Sequence, residues 1–284
     1  MHESGNDISV VIRTLNEAAH IGVLLQTLRA QQQLGESLEI VLVDSGSTDK
    51  TLEIASSYDV ELVQIPKSEF NYSTALNLGI EKCKGKLIFI LSGHSVPTAP
   101  DWATQMIRHF HDDEVAGVYC RQEAWEHTNW HEKRRIESMF PHQSRVFCSK
   151  TDSDLKFSNA ASCVRRIIWE KHKFKILPAA EDKEWAQWAL ENNYKLVYDA
   201  EAAVFHSHNE SPRQVAKRQI EIEKAIDITK ARNRTVFLTL FQATRRFVAL
   251  AIYDFRIKAS GSKKFRALLE DLKSCIWFIV DFKR

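Results

Sequence analysis

Three groups of residues in this 284-residue chain have types and spacings that could do chemistry. The first is the acidic pair Glu181-Asp182, which opens a helical pattern carried by Trp185, Trp188 and Ala189. A carboxylate placed there can take a proton from a hydroxyl, although acids also favour a helix N-terminus for reasons of dipole alone. The second is Asp44, where the apolar run Glu39-Ile-Val-Leu-Val43 gives way to Ser45-Gly-Ser-Thr-Asp49. It can face a ligand or simply cap the helix that follows, and both readings stay open. The third is a set of imidazoles: His94 in Ser92-Gly93-His94, and His206 and His208 after Val204-Phe205. Imidazole can ligate a divalent cation, meet a phosphate, or serve as a structural residue, and all three stay open for His94.

These residues need elements to hold them. Ile8-Ser-Val-Val-Ile12, Glu39–Val43, Val60–Ile65 and Lys86–Leu91 are short apolar or β-branched runs, and they read as strands. Helical patterns over about 18–32, from Thr51, and over 73–84 separate them. Alternation about every 25 residues predicts a doubly wound, mainly parallel α/β sheet. Carboxyl ends of such strands are where open sheets bind ligands, which puts Asp44 and His94 at one rim. Further on, Val115–Gln122 reads as a strand, and 157–166 as a strand leading to a helix. No Gly-x-Gly-x-x-Gly follows the first strand and no Gly-x-x-x-x-Gly-Lys-Ser/Thr occurs, which argues against dinucleotide and P-loop binding.

Thr14-Leu-Asn-Glu17, Val43-Asp-Ser-Gly-Ser-Thr-Asp49, Ala75-Leu-Asn-Leu-Gly79 and Glu181-Asp182 followed by Trp185 occur in the order and spacing of a known family. Over about residues 8–210 the chain resembles glycosyltransferase family 2, inverting enzymes of the GT-A fold that use nucleotide sugars. The resemblance implies a Rossmann-type GT-A-like sheet, a UDP- or dTDP-linked donor, and a hydroxyl acceptor on a polysaccharide or lipid-linked oligosaccharide. It assigns the base to Asp182, with Glu181 beside it. Asn16 or Glu17 and Asp44 match the residues that hold the nucleobase and ribose, Asn77 lies near the diphosphate with His94, and Thr14, Ser45, Ser47, Ser92 and Gly93 complete the donor-nucleotide set. Most relatives carry Asp-x-Asp, which binds Mn²⁺ or Mg²⁺, where this chain has Ser92-Gly93-His94. His206 or His208 matches a family histidine that completes the metal site. Arg121, Asn159 and Trp185 are expected to border the donor sugar or the acceptor. Arg13 could pair with a phosphate or make a surface salt bridge, and it is not counted in the site. The loss of both Asp-x-Asp carboxylates leaves one alternative, a nucleotide-sugar-binding protein without transfer activity.

Composition agrees with one large α/β domain, residues 1–211, and a C-terminal region, 212–284. Hydrophobic residues make up 44% of the chain, enough for a sizeable core. Five scattered cysteines lack metal-ligand spacing and suggest a reducing cytosol. The sequence shows no signal peptide and no apolar run long enough to span a bilayer. A net charge of +2 conceals an asymmetry, because 17 Lys/Arg against 7 Asp/Glu lie from Pro212 onward. Large apolar residues alternate with those bases at helical spacing. This pattern predicts contact with the inner face of a membrane, with packing or a homo-oligomer interface as the other reading. No nucleic-acid-binding module is recognisable.

Overall fold

In the computed structural model, residues 7–208 are described apart from 33, 35–37, 150, 153 and 154, together with 210 and scattered positions from 214 to 276. The basic amphipathic stretch expected to meet a membrane therefore lies outside the described residues. Two units are present. One holds the residues through Glu123, Phe140–Leu177 and Glu181–His206; the other holds Ala124–Met139, Pro178–Ala180 and the residues from Ser207.

The chain runs β1 (Ile8–Thr14), α1 (Ile21–Arg29), β2 (Glu39–Asp44), α2 (Thr51–Ala55), β3 (Glu61–Gln64), α3 (Tyr72–Lys82), β4 (Leu87–Ser92) and β5 (Val96–Pro97). It continues with α4 (Trp102–Ile107), β6 (Val115–Glu123), α5 (Trp130–Met139), β7 (Arg145–Phe147), β8 (Ala161–Arg165), α6 (Arg166–Lys171), α7 (Glu181–Glu191) and β9 (Lys195–Phe205).

In the first unit nine strands form one sheet of order β3-β2-β1-β4-β8-β6-β9-β5, with β7 paired to β9. β3, β2, β1 and β4 are mutually parallel, as expected. Their runs are apolar without alternation because helices cover both faces, and Val10 to Ile12, Val41 to Val43 and Ile88 to Leu91 are inaccessible to solvent. The second half is mixed: β8 lies antiparallel between β4 and β6, while β6 and β9 run parallel. Strand order reverses between β1 and β4, so the crevice beyond their carboxyl ends is a topological switch point. Arg13 and Ser92 are register partners there.

α3 shows why its small residue matters. A Cβ on Gly79 would stand 2.6 Å from Val11 Cγ1 and 2.9 Å from Val43 Cγ2, so only glycine lets this helix approach β1 and β2. α1 starts at Ile21, three residues later than the periodicity predicts. The Glu17 carbonyl accepts hydrogen bonds from the amides of His20 and Ile21, and that turn uses up the first part of the segment.

In the second unit α5 begins after Asn129, whose Oδ1 accepts from the Glu132 amide (2.9 Å). Glu132 is buried and makes a two-pronged ion pair with Arg135 (2.9 and 2.7 Å). Burial would raise the Glu132 pKa, but that pairing more than offsets it and the group titrates below its ordinary range.

Candidate active site

The β1 and β2 ends are knitted together by their own polar groups. Asp44 is completely buried, and its Oδ2 accepts hydrogen bonds from the amides of Gly46 and Ser47 (both 2.9 Å). Its Oδ1 accepts from the Ser47 hydroxyl (2.5 Å). Ser47 Oγ in turn accepts from the Asn16 amide (2.8 Å), and Asn16 Oδ1 accepts from the Thr48 amide (2.8 Å). Thr51 and Asp49 accept from the amides of Glu17 and Ala18 (2.7 and 3.1 Å). Asn16 takes a left-handed backbone (φ 56°), which asparagine tolerates better than most residues. The buried amide of Ser45 donates to the Thr14 carbonyl (3.0 Å). Of the two readings of Asp44, the turn-forming one describes its contacts here. Both oxygens are occupied within the loop, and Asp44 offers no exposed edge to a base.

At the β4 end, Gly93 donates to the Arg13 carbonyl (2.8 Å). A Cβ on Gly93 would strike Thr14 Oγ1 at 2.9 Å and Glu17 Cγ at 3.0 Å. This close passage brings His94 Nδ1 to 2.6 Å from Glu17 Oε1. The other carboxylate oxygen of Glu17 faces His20 Nδ1 at 3.4 Å. His94 also stacks on His206, with centroids 4.8 Å apart and planes within 10°. His206 Nδ1 pairs with Gln122 Oε1 (2.9 Å), so each imidazole has its Nδ1 engaged by an oxygen acceptor. Glu17 therefore holds an imidazole here. His20 is an addition that the sequence did not single out, and Gln122, at the end of the Val115–Gln122 strand, meets His206. His208 falls in the second unit.

The acidic pair lies on α7. Glu181 is 5% exposed, whereas Asp182 keeps part of its surface open. Burial, then the adjacent Asp182 charge, pushes the Glu181 carboxyl up to about 7. Burial also raises Asp182, against the opposing charge of Lys183. Asn159 bridges the two: its amide N–H faces Asp182 Oδ2 at 3.4 Å and its Nδ2 faces Glu181 Oε1 at 3.5 Å. Its own Oδ1 accepts from the Ser162 hydroxyl (3.0 Å). Asn159 thus sits on the acids. A raised pKa in a cleft suits a group that must accept a proton near neutrality.

Arg13 joins this end of the crevice. Its Nη1 is 3.7 Å from Glu181 Oε1, and its guanidinium lies over the Tyr72 ring, 5.0 Å from the centroid. The side chain is 12% exposed, so Arg13 is no surface salt-bridge residue.

Three of the expected site residues are engaged by the protein itself. Trp185 is fully buried against Phe157 and Phe174, because its position with Ala186, Ala189 and Leu190 forms the inward stripe of α7. Arg121 Nε donates to the Ala200 carbonyl (2.9 Å) across a bulge, and its Nη1 pairs with Glu123. Asn77 clasps the segment ahead of α7: its Nδ2 donates to the Phe174 carbonyl (2.8 Å), and its Oδ1 accepts from the Phe174 amide and Trp169 Nε1. Ser73 and Asn71 hold the Lys175 and Leu177 carbonyls in the same way (both 2.6 Å).

The family model "Glycosyl transferase family 2" matches residues 9–170, more than half of the chain and the stretch that forms the switch-point crevice. The chain belongs to glycosyl transferase family 2. Among its relatives is the O-antigen chain rhamnosyltransferase WbaN of Salmonella anatum, 28% identical over 204 residues, or 67% of this chain and 63% of that protein. The O-antigen chain rhamnosyltransferase RfbN of Salmonella typhimurium is 26% identical over 228 residues, covering 75% and 70% of the two chains. The chain thus spans a little under two thirds of one relative and a little over two thirds of the other. Solved structures share the fold at low identity. The mannosyltransferase PcManGT from Pyrobaculum calidifontis, in complex with GDP-Man and Mn²⁺, superposes with a TM-score of 0.65 at 14% identity, over 97% of this chain and 87% of its own. S. aureus TarS 1–349 with UDP-GlcNAc gives 0.56 at 16%, over 95% and 73%.

The PcManGT structure was solved with Mn²⁺. Ser92-Gly93-His94 carries no carboxylate of its own, and the ring nitrogens of His94 and His206 come together there. His94 and His206 offer ring nitrogens within 4.8 Å of one another, and the oxygen partners on their Nδ1 atoms are the outer contacts that orient ligating histidines. The pair fits a cation that favours imidazole, such as Zn²⁺ or Fe²⁺, better than Mg²⁺ or Mn²⁺.

Proposed function

We propose that this chain transfers a sugar, with inversion, from a UDP- or dTDP-linked donor to a hydroxyl of a polysaccharide or lipid-linked oligosaccharide precursor. The observation that carries this reading is the Glu181–Asp182 pair, raised toward neutrality by burial and standing beside the β1–β4 switch point.

Asp182 is the base. It is the less buried residue of the two, and its Oδ1 accepts from the Lys183 amide (2.8 Å) while the Asn159 amide faces its Oδ2. The acceptor hydroxyl gives its proton to Asp182 as its oxygen bonds to the anomeric carbon from the face opposite the diphosphate. The bond from that carbon to the diphosphate oxygen then breaks, and the nucleoside diphosphate leaves with the electron pair. Glu181, neutral through part of the working range, keeps the pair from carrying two full charges and so holds Asp182 in the basic form. His94 and His206 would hold a divalent cation whose charge offsets that of the leaving diphosphate. Glu17 and Gln122 fix the orientation of those rings.

The polysaccharide acceptor is supported by the O-antigen relatives. No described helix is long and apolar enough to cross a membrane. Residues 212–284 would bring the enzyme to the inner membrane face through their bases. The test is Asp182→Asn. A loss of about 100- to 10,000-fold in kcat, with UDP or dTDP affinity unchanged by calorimetry, is expected. Unchanged turnover would remove Asp182 from the mechanism.

A further inference from the structure

Arg13 is a buried cation whose contacts fall short of its capacity. A guanidinium carries five N–H donors in a flat fork. Arg13 Nε and Nη1 are buried and make no hydrogen bond. Glu181 stands 3.7 Å from Nη1, close enough for charge but too far for a hydrogen bond. Tyr72 covers one face of the guanidinium and is itself 43% exposed. The residue closes β1 at the switch point, in register with Ser92 of β4.

We propose that Arg13 binds a phosphate oxyanion in this crevice, the diphosphate of the sugar donor on the reading given above. The N–H groups of arginine match phosphate oxygens, and Nε and Nη1 are left without a hydrogen-bond partner to meet one. Tyr72 supplies beside it an exposed aromatic face, so that a π-surface and an anion receptor adjoin, as a nucleotide or sugar phosphate requires. The alternative, that Arg13 exists to keep Glu181 ionised, sits badly with the geometry. A dedicated partner would be hydrogen-bonded, and Glu181 would not stand at about 7. This inference rests on the donor-site reading, and it adds a positive charge from the chain itself to whatever cation His94 and His206 hold.

The experiment is calorimetric titration of the full chain, wild type, Arg13→Lys and Arg13→Met, with UDP, dTDP, uridine and thymidine, each in EDTA and in Mn²⁺. Farnesyl diphosphate in detergent is the probe for a phosphate on the acceptor side. Thermal melts and far-UV circular dichroism accompany each variant. The expected result for Arg13→Met is a loss of roughly 10- to 100-fold in nucleoside diphosphate affinity, in EDTA and Mn²⁺ alike, with nucleoside affinity unchanged. Arg13→Lys should lose less, because charge survives without the fork. A loss confined to farnesyl diphosphate would keep the phosphate site but assign it to the acceptor. If both diphosphates bind the variants as they bind wild type, or if nucleosides and nucleoside diphosphates weaken equally, the inference is overturned. Wild-type protein that binds neither UDP nor dTDP would instead refute the donor-site reading.

Discussion

Asp199 and Glu181 are both buried carboxylates in the same unit, and they titrate in opposite directions. Asp199 is wholly inaccessible and lies at the bulge of β9. Its Oδ2 meets His109 Nε2 at 2.7 Å and Arg108 at 3.2 Å, and its Oδ1 accepts from the amides of Glu201 (2.8 Å) and Ala202 (3.3 Å). Burial would raise its pKa, but those hydrogen bonds and the Arg108 charge overcome it, and the group titrates below its ordinary range. Glu181 has the same burial without that company: one long amide contact, a guanidinium at 3.7 Å, and a second carboxylate next door. Depth alone therefore does not mark a functional acid. A satisfied carboxylate is a fastener, and an under-bonded one beside a crevice stores the unfavourable charge that proton transfer can use.

The contrast is broken most severely at Asp199. Asp199→Ala removes the partner of His109 and one partner of the part-exposed Arg108 and frees two backbone amides, so a cost of about 3 kcal/mol is expected. Denaturant unfolding at neutral pH measures it. The wild-type contribution should fade as pH drops below the usual carboxylate range, because a depressed pKa stabilises only while the group is ionised in both states. A cost under about 1 kcal/mol would show that the bulge holds itself together without Asp199.

Glu181 should behave in the opposite sense. With its folded pKa near 7 and its unfolded value near 4.5, the folded state binds more protons between those limits. Stability therefore falls as pH rises through that window. Glu181→Gln removes the penalty. It should stabilise the chain by up to about 3 kcal/mol at pH 8 and by almost nothing at pH 4, on the scale of 1.36 kcal/mol per unit. Melting temperatures of the two proteins across pH 4–8 check this. Parallel curves would mean that Glu181 titrates normally.

Much of this site was legible in the sequence, and the misreadings have physical causes. β1, β2 and β4 declared themselves because strands covered on both faces are continuous apolar runs. β8 did not declare its direction, since five buried residues look the same in either sense. The acidic pair and His94 stood out because charge and imidazole at strand or helix ends are expensive unless used. Trp185 was placed near the sugar or acceptor through the resemblance alone, although its spacing to Ala189 already put it on the buried stripe. Asn77 gave no local signal at all: its partners Phe174 and Trp169 are more than 90 positions away. Arg13 looked like a surface residue because its cover, Tyr72 and α7, comes from distant parts of the chain.

The finest test of the contrast is Asn159, which partly satisfies Glu181 and Asp182 through contacts of 3.5 and 3.4 Å. Asn159→Ala deletes the side-chain donor to Glu181 but leaves the backbone amide that faces Asp182. The Ser162 hydroxyl loses its acceptor as well, so a small loss of stability, about 1 kcal/mol, should accompany the change. On activity the effect should be directional. Removing a donor that favours the ionised form raises Glu181 further and leaves Asp182 beside a neutral neighbour over a wider range, so the acidic limb of the kcat profile should move to lower pH by less than about one unit. The plateau above that limb should stay nearly where it was, because Asp182 keeps both of its amide contacts. A limb that stays put while the plateau drops would place Asn159 on the substrate, as its position just ahead of β8 first suggested. A limb that moves with the plateau intact places it on the acids, where the amide now lies.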